Sequence, residues 1–179
     1  MKLLSQHEVR IWCEKHGVQA TPNGFSFLGG AGEHSVDFSI PMKPHQVIFL
    51  ANALVPKSER EPFDEAVFLI SDWGIWNEEV EKVGQTIIES FRKPSGTESL
   101  HEKPGHLFHG SERSAVCAFL VQAISVGWDA YVFFDKAEHF LFVSHDEWVR
   151  LIARTSDVAK RFAQSLSQWA LDSHAQTGS

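Results

Sequence analysis

Ala66-Val67-Phe68-Leu69-Ile70 is an unbroken apolar run. A strand with one wet face alternates polar and apolar residues; a run without alternation suits a strand covered on both faces. A buried strand needs neighbours in a sheet and helices over it, so these five residues set the fold class. Before the run, residues 57–64 are charged and contain Pro62, which predicts a surface loop. Earlier still, Pro44 opens a helix through His45-Gln46-Val47-Ile48-Phe49-Leu50-Ala51-Asn52-Ala53-Leu54, and Pro56 stops it. After the run, Asn77 caps a helix with Glu78, Glu79 and Glu81 in its first turn, where the helix dipole favours anions. Val80, Val83, Ile87, Ile88 and Phe91 recur on it at helical spacing, which predicts its core-facing stripe.

Further out, Ser5-Gln6-His7-Glu8 has the capping-box form and starts a helix that Gly17 closes. Phe25–Leu28 and the alternating Val36, Phe38 and Ile40 read as a hairpin turning at Gly29-Gly30-Ala31-Gly32 and ended by Pro41. That glycine stretch lacks the Lys-Ser/Thr ending of a phosphate loop and precedes a strand, so a turn is the better reading and no cofactor is expected. Towards the C-terminus, residues 93–110 are rich in Gly, Pro and His and read as a long loop. A helix from Ser111 to Gly127 follows, with an apolar face of Ala115, Val116, Phe119, Leu120, Ala123 and Ile124. Residues 128–134 and 139–143 form a second hairpin. Ser144-His145-Asp146-Glu147 repeats the capping-box form and predicts a helix carrying Trp148, Val149, Leu151 and Ile152, and a last helix starts near Ser156. The expected fold is α+β: one domain over residues 1–172, with a largely antiparallel sheet of about five strands, helices packed against it and a polar frayed tail at 173–179.

The 179 residues carry 23 Asp plus Glu against 16 Lys plus Arg, a net charge of −7 with no basic run. Nucleic-acid and anionic-membrane binding are therefore disfavoured, whereas a basic protein partner suits the charge. No apolar run reaches the length of a membrane span, and MKLLSQHEVR lacks the apolar stretch of a signal peptide. Cys13 and Cys117 lie far apart in apolar helical patterns and read as reduced, buried thiols. A cytoplasmic location is expected.

The candidate chemistry falls in three places. Asp72-Trp73-Gly74-Ile75-Trp76 lies just past the end of the apolar strand, where open sheets often place ligand sites. Two Trp beside an Asp suit a ligand wall or an interface anchor, or else a lid closing one end of the core. Trp128, Asp129, His145, Asp146 and Glu147 surround the second hairpin; the last three look like acid–base equipment, but their place after Ser144 favours the plainer reading, with the acids supporting a helix N-terminus. His101, His106 and His109 share one segment, but their spacing matches no known metal class and no Cys pair accompanies them. There is no Gly-x-Ser-x-Gly elbow.

Ser71-Asp72-Trp73-Gly74, Pro104-Gly105-His106-Leu107-Phe108, Gly127-Trp128-Asp129-Ala130-Tyr131 and Val143-Ser144-His145-Asp146-Glu147 together resemble a group of uncharacterised small bacterial proteins. The resemblance covers residues 66–150, transfers no catalytic residues, and implies that the four segments meet in space. With no catalytic signature, the expected function is protein binding, of the kind an immunity protein uses to mask a basic bacterial toxin domain. The alternative is a hydrolase or metal-dependent enzyme built on Asp72, His106, Asp129, His145 and Asp146.

Overall fold

The computed structural model describes residues 1–29, 34–57 and 63–171. Nine strands and five α-helices are placed among them. The strands are β1 (Lys2–Leu4), β2 (Val18–Thr21), β3 (Gly24–Phe27), β4 (His34–Ser39), β5 (Glu65–Asp72), β6 (Gly105–His109), β7 (Asp129–Phe134), β8 (His139–Ser144) and β9 (Trp148–Ala153). The helices are α1 (Gln6–Lys15), α2 (Pro44–Leu54), α3 (Glu78–Arg92), α4 (Arg113–Val126) and α5 (Ser156–Ser165). Seven strands form one sheet in the order β1-β6-β5-β7-β8-β9-β4, and β2-β3 form a separate ribbon. Every pairing in both is antiparallel. The α+β class is as expected, with a larger sheet than the five strands read from the sequence.

β5 lies inside the sheet between β6 and β7, and its apolar run is buried on both faces. Ala66, Phe68 and Ile70 face a core shared with α2, α4 and α5; Val67 and Leu69 face a second core under α1 and the ribbon. Several local signals act as the sequence predicts. Ser5 and Glu8 close a capping box on α1, Pro44 opens α2, and Asn77 accepts from the Val80 amide at the start of α3. Gly127 ends α4 in the left-handed conformation (φ 65°), which favours a residue without Cβ. Both cysteines are free and buried.

The differences have physical causes. The predicted helix at Trp148 is strand β9, paired with both β8 and β4. Ser144 Oγ does not cap a helix; it accepts from the Asp146 amide at 3.2 Å inside a turn. Residues 145–147 form the three-residue loop of a hairpin, and Glu147 takes the left-handed position at φ 66°. The first predicted hairpin is also re-paired. β3 pairs with β2, an element not foreseen, and β4 pairs with β9 at the sheet edge. The glycine turn at 30–32 lies outside the described residues, as does the tail at 173–179. The 93–110 loop contains β6, whose Gly105 sits so close to Leu4 and Val9 that a Cβ there would collide with the Val9 side chain. No helix among the described residues is long and apolar enough to cross a membrane.

α3 departs most from its sequence pattern. Its buried residues are Glu81, Gly84, Ile88 and Arg92, not the whole apolar stripe. Ile88 faces the core, but Val80, Val83 and Phe91 are exposed. Two polar contacts set this rotation. Glu81 accepts from the Trp128 indole, and one Arg92 nitrogen, Nη2, donates to the carbonyls of Glu98, Ser99 and Lys103.

Candidate functional site at the end of the sheet

The end of β5, the starts of β7, β9 and α3, and the ends of β8 and α4 meet at one end of the sheet. Asp72 and Asp129 are cross-strand partners next to a bulge in β5. Two carboxylates placed opposite each other repel. His145 offsets that repulsion. Its backbone amide and its Nδ1 both donate to Asp129 Oδ1, at 2.8 and 2.9 Å. Because a carboxylate only accepts, Nδ1 carries a proton and Nε2 faces outward, 3.5 Å from Asp146 Oδ1. The bond to Asp129 raises the imidazole pKa above its ordinary value, and the charges of Asp129, Asp146 and Asp72 add to the rise.

Beside this cluster lies a groove of about 570 Å³ between α3 and α4, whose lining includes Trp76, Val80, Val83, Ile124, His145 and Glu147. Trp76 forms one wall and is fixed at both ends of the residue. Its indole donates to the Gly127 carbonyl at 2.9 Å, and its amide donates to Glu81 Oε1 at 2.9 Å. The other Glu81 oxygen accepts from Trp128 Nε1 at 3.0 Å, so one buried carboxylate ties the wall to the core. Trp128 is fully buried and supports the groove from beneath. Gly84 permits this packing, because a Cβ there would stand 2.6 Å from Trp128 Cζ2. Glu79 and Glu147 place carboxylates along the groove.

Of the residues singled out in the sequence, Asp72, Asp129, His145 and Asp146 form one charged cluster, and Trp76, His145 and Glu147 line the groove next to it. Trp73 instead packs against His101, with ring centroids 4.9 Å apart. His106 is buried within the helical-face core; its Nδ1 donates to the Phe68 carbonyl, and burial pushes its pKa down to about 3. His109 lies on the same strand, at an odd offset from His106 that points it to the other face. Among the described residues no three His, Cys, Asp or Glu side chains are grouped to hold a metal ion. Sequence reasoning missed Glu79, Glu81, Val80, Val83 and Gly127 as parts of this region. The one signal for them was Glu81, a first-turn acid that sits directly after Val80 and two residues before Val83. A carboxylate there either faces solvent or answers a buried donor, and the neighbouring Trp128 supplies that donor.

Neither a protein-family model, a curated protein nor a solved structure matches the chain.

Proposed function

We propose that this chain is a protein-binding domain whose α3–α4 groove receives an apolar segment of a basic partner. The observation that carries the reading is the orientation of α3. Val80 and Val83 are 44% and 61% exposed, next to the half-exposed Trp76, on a surface bordered by Glu79 and Glu147. Apolar side chains exposed together and edged by charge mark interaction surfaces. Trp76 is held rigid by its hydrogen bonds, so binding costs it little conformational entropy, as suits an anchor. The carboxylates and the net charge of −7 favour a cationic partner and speed encounter with it. An immunity-type role in the cytoplasm, masking a basic bacterial toxin domain, is the finer form of this proposal.

The test uses wild-type and Val83→Asp baits side by side in extracts of the native host, with bound proteins compared by mass spectrometry. The reading expects one basic protein retained by the wild type and lost by the variant, with retention weakening as salt rises. Identical retention by both baits, or an acidic protein retained by the wild type alone, would falsify it.

One observation favours a second reading. The Asp129–His145 pair orients an imidazole beside the groove, as a hydrolase would orient a general base. Among the described residues no hydroxyl or thiol bonds to His145, so the nucleophile in this reading is water. Turnover of chromogenic ester or phosphodiester substrates that disappears in His145→Gln would support it; no turnover across the panel removes it.

A further inference from the structure

The sheet face opposite the helical layer is only partly covered. A wetted face of an antiparallel sheet normally carries polar residues, yet Tyr131, Phe142 and Trp148 are half-buried aromatics on it. Cross-strand register sets Tyr131, Phe142, Arg150 and Asp37 in one row across β7, β8, β9 and β4. A cleft of about 340 Å³ opens over this row. Asn23 and Phe25 line it on the ribbon side and Ser35 on β4, with Tyr131, Phe142 and Arg150 as its floor. Phe25 meets Tyr131 edge-on with ring centroids 4.9 Å apart, and Tyr131 lies 4.7 Å from Phe142. Gly24 admits the Tyr131 hydroxyl, since a Cβ there would collide with it. Arg150 is held on two sides. Its Nε and Nη2 donate to the two Asp37 oxygens at 2.7 and 2.8 Å, and its guanidinium lies 4.8 Å from the centroid of the Trp148 ring.

We infer that this cleft binds a neutral sugar, a pyranose with equatorial hydroxyls stacked on the Tyr131–Phe142 platform. Three observations select that chemistry. Charge disfavours anions, because Asp37 already neutralises Arg150 and the chain carries −7. Ring geometry disfavours a flat aromatic ligand. Phe25 and Tyr131 are inclined by 64° and Tyr131 and Phe142 by 36°, so neither pair forms the parallel walls of a slot. An open platform suits the C–H face of a pyranose, whose electropositive hydrogens meet the negative ring faces. The third observation is the polar rim. The Asn23 amide and the Ser35 and Tyr131 hydroxyls can each donate and accept, as sugar hydroxyls do, and none of the three side chains has a hydrogen bond among the described residues. The volume is at the small end of ligand sites and suits a disaccharide. The cleft and the α3–α4 groove lie on opposite faces of the sheet, and this inference does not depend on the partner proposed for the groove.

Tyr131 is the single tyrosine of the chain, so ring-labelled tyrosine gives one reporter in the NMR spectrum of the full-length protein. Cellobiose, N,N′-diacetylchitobiose and adenosine are each titrated in at millimolar concentration. At least one disaccharide is expected to shift the Tyr131 signal saturably and to receive saturation transfer at its ring C–H protons. Phe142→Ala weakens that binding about tenfold or more. Ser35→Arg, at an exposed rim position, blocks the cleft, while Val83→Asp binds like the wild type. No saturable shift with either disaccharide, or adenosine binding more tightly than both, overturns the inference. Should Phe142→Ala fail to fold, Ser35→Arg decides alone: sugar binding by that variant at the wild-type affinity overturns the inference as well.

Discussion

At the residue scale, Glu81 links the groove to the core. Its carboxylate accepts from the Trp76 amide and the Trp128 indole, and it is buried. Glu81→Ala leaves the Trp128 N–H without a partner in the interior, at a cost of about 1–3 kcal/mol in urea unfolding. It also loosens Trp76, which should appear as increased fluorescence quenching by acrylamide. Glu147 is the opposite case. A non-glycine residue held at φ 66° carries left-handed strain, so Glu147→Gly should preserve or raise stability by up to about 1 kcal/mol. His145 gains a partner on folding, so its pKa lies above the unfolded value. The associated stabilisation is complete below the unfolded pKa and is lost as pH rises through the folded one. In Asp129→Asn an NMR titration of His145 should move down towards the ordinary histidine value; an unchanged titration would contradict the assigned cause. The buried histidines act in the other sense. Burial depresses His106 to about 3 and His139 to about 4. The unfolded chain then binds the extra protons as pH falls below the ordinary histidine value. Each site contributes a loss of about 1.4 kcal/mol per pH unit until its folded pKa is reached. Urea midpoints should therefore fall as pH drops from about 6 to about 5, below the range in which His145 titrates.

At the element scale, α3 shows where sequence pattern and structure part. The spacing of Val80, Val83, Ile87, Ile88 and Phe91 is that of a core stripe, yet Glu81, Gly84 and Arg92 take inward places beside Ile88. Periodicity reports that apolar residues share a face. It does not report whether a buried indole and three loop carbonyls compete for the same helix through Glu81 and Arg92. The same limit explains β9. Ser144-x-x-Glu147 satisfies a helix-start pattern locally, but residues 148–153 lie between β8 and β4 and complete a ladder that only the tertiary structure supplies. Signals with a self-contained mechanism were legible: the Ser5 capping box, Pro44 at a helix start, Gly127 at a helix end, and the doubly buried β5. The candidate site was legible in its charged half, Asp72, Asp129, His145 and Asp146, because polar residues at strand ends announce themselves. Its apolar half was hidden within what looked like core. Because Val83 is exposed, Val83→Asp should change the stability of the free protein by no more than about 0.5 kcal/mol. Gly84→Ala, one position on, should cost about 1–3 kcal/mol by overpacking against Trp128, partly offset by alanine's helix propensity.

At the scale of the molecule, helices cover one face of an antiparallel sheet, and α1 with the β2–β3 ribbon covers part of the other. The outer side of the helical layer carries, between α3 and α4, a surface edged by carboxylates, which we propose receives a basic partner. That proposal is the central claim, and site-specific photocrosslinking tests it most directly. A benzophenone side chain is placed at position 83, in the groove, and separately at Lys15, an exposed residue of α1 on the opposite side of the sheet. Both proteins are irradiated in the native host. The account predicts a cross-linked adduct with one basic protein from position 83 and none with that protein from position 15. Equal adducts from both positions, or none from position 83, would contradict it.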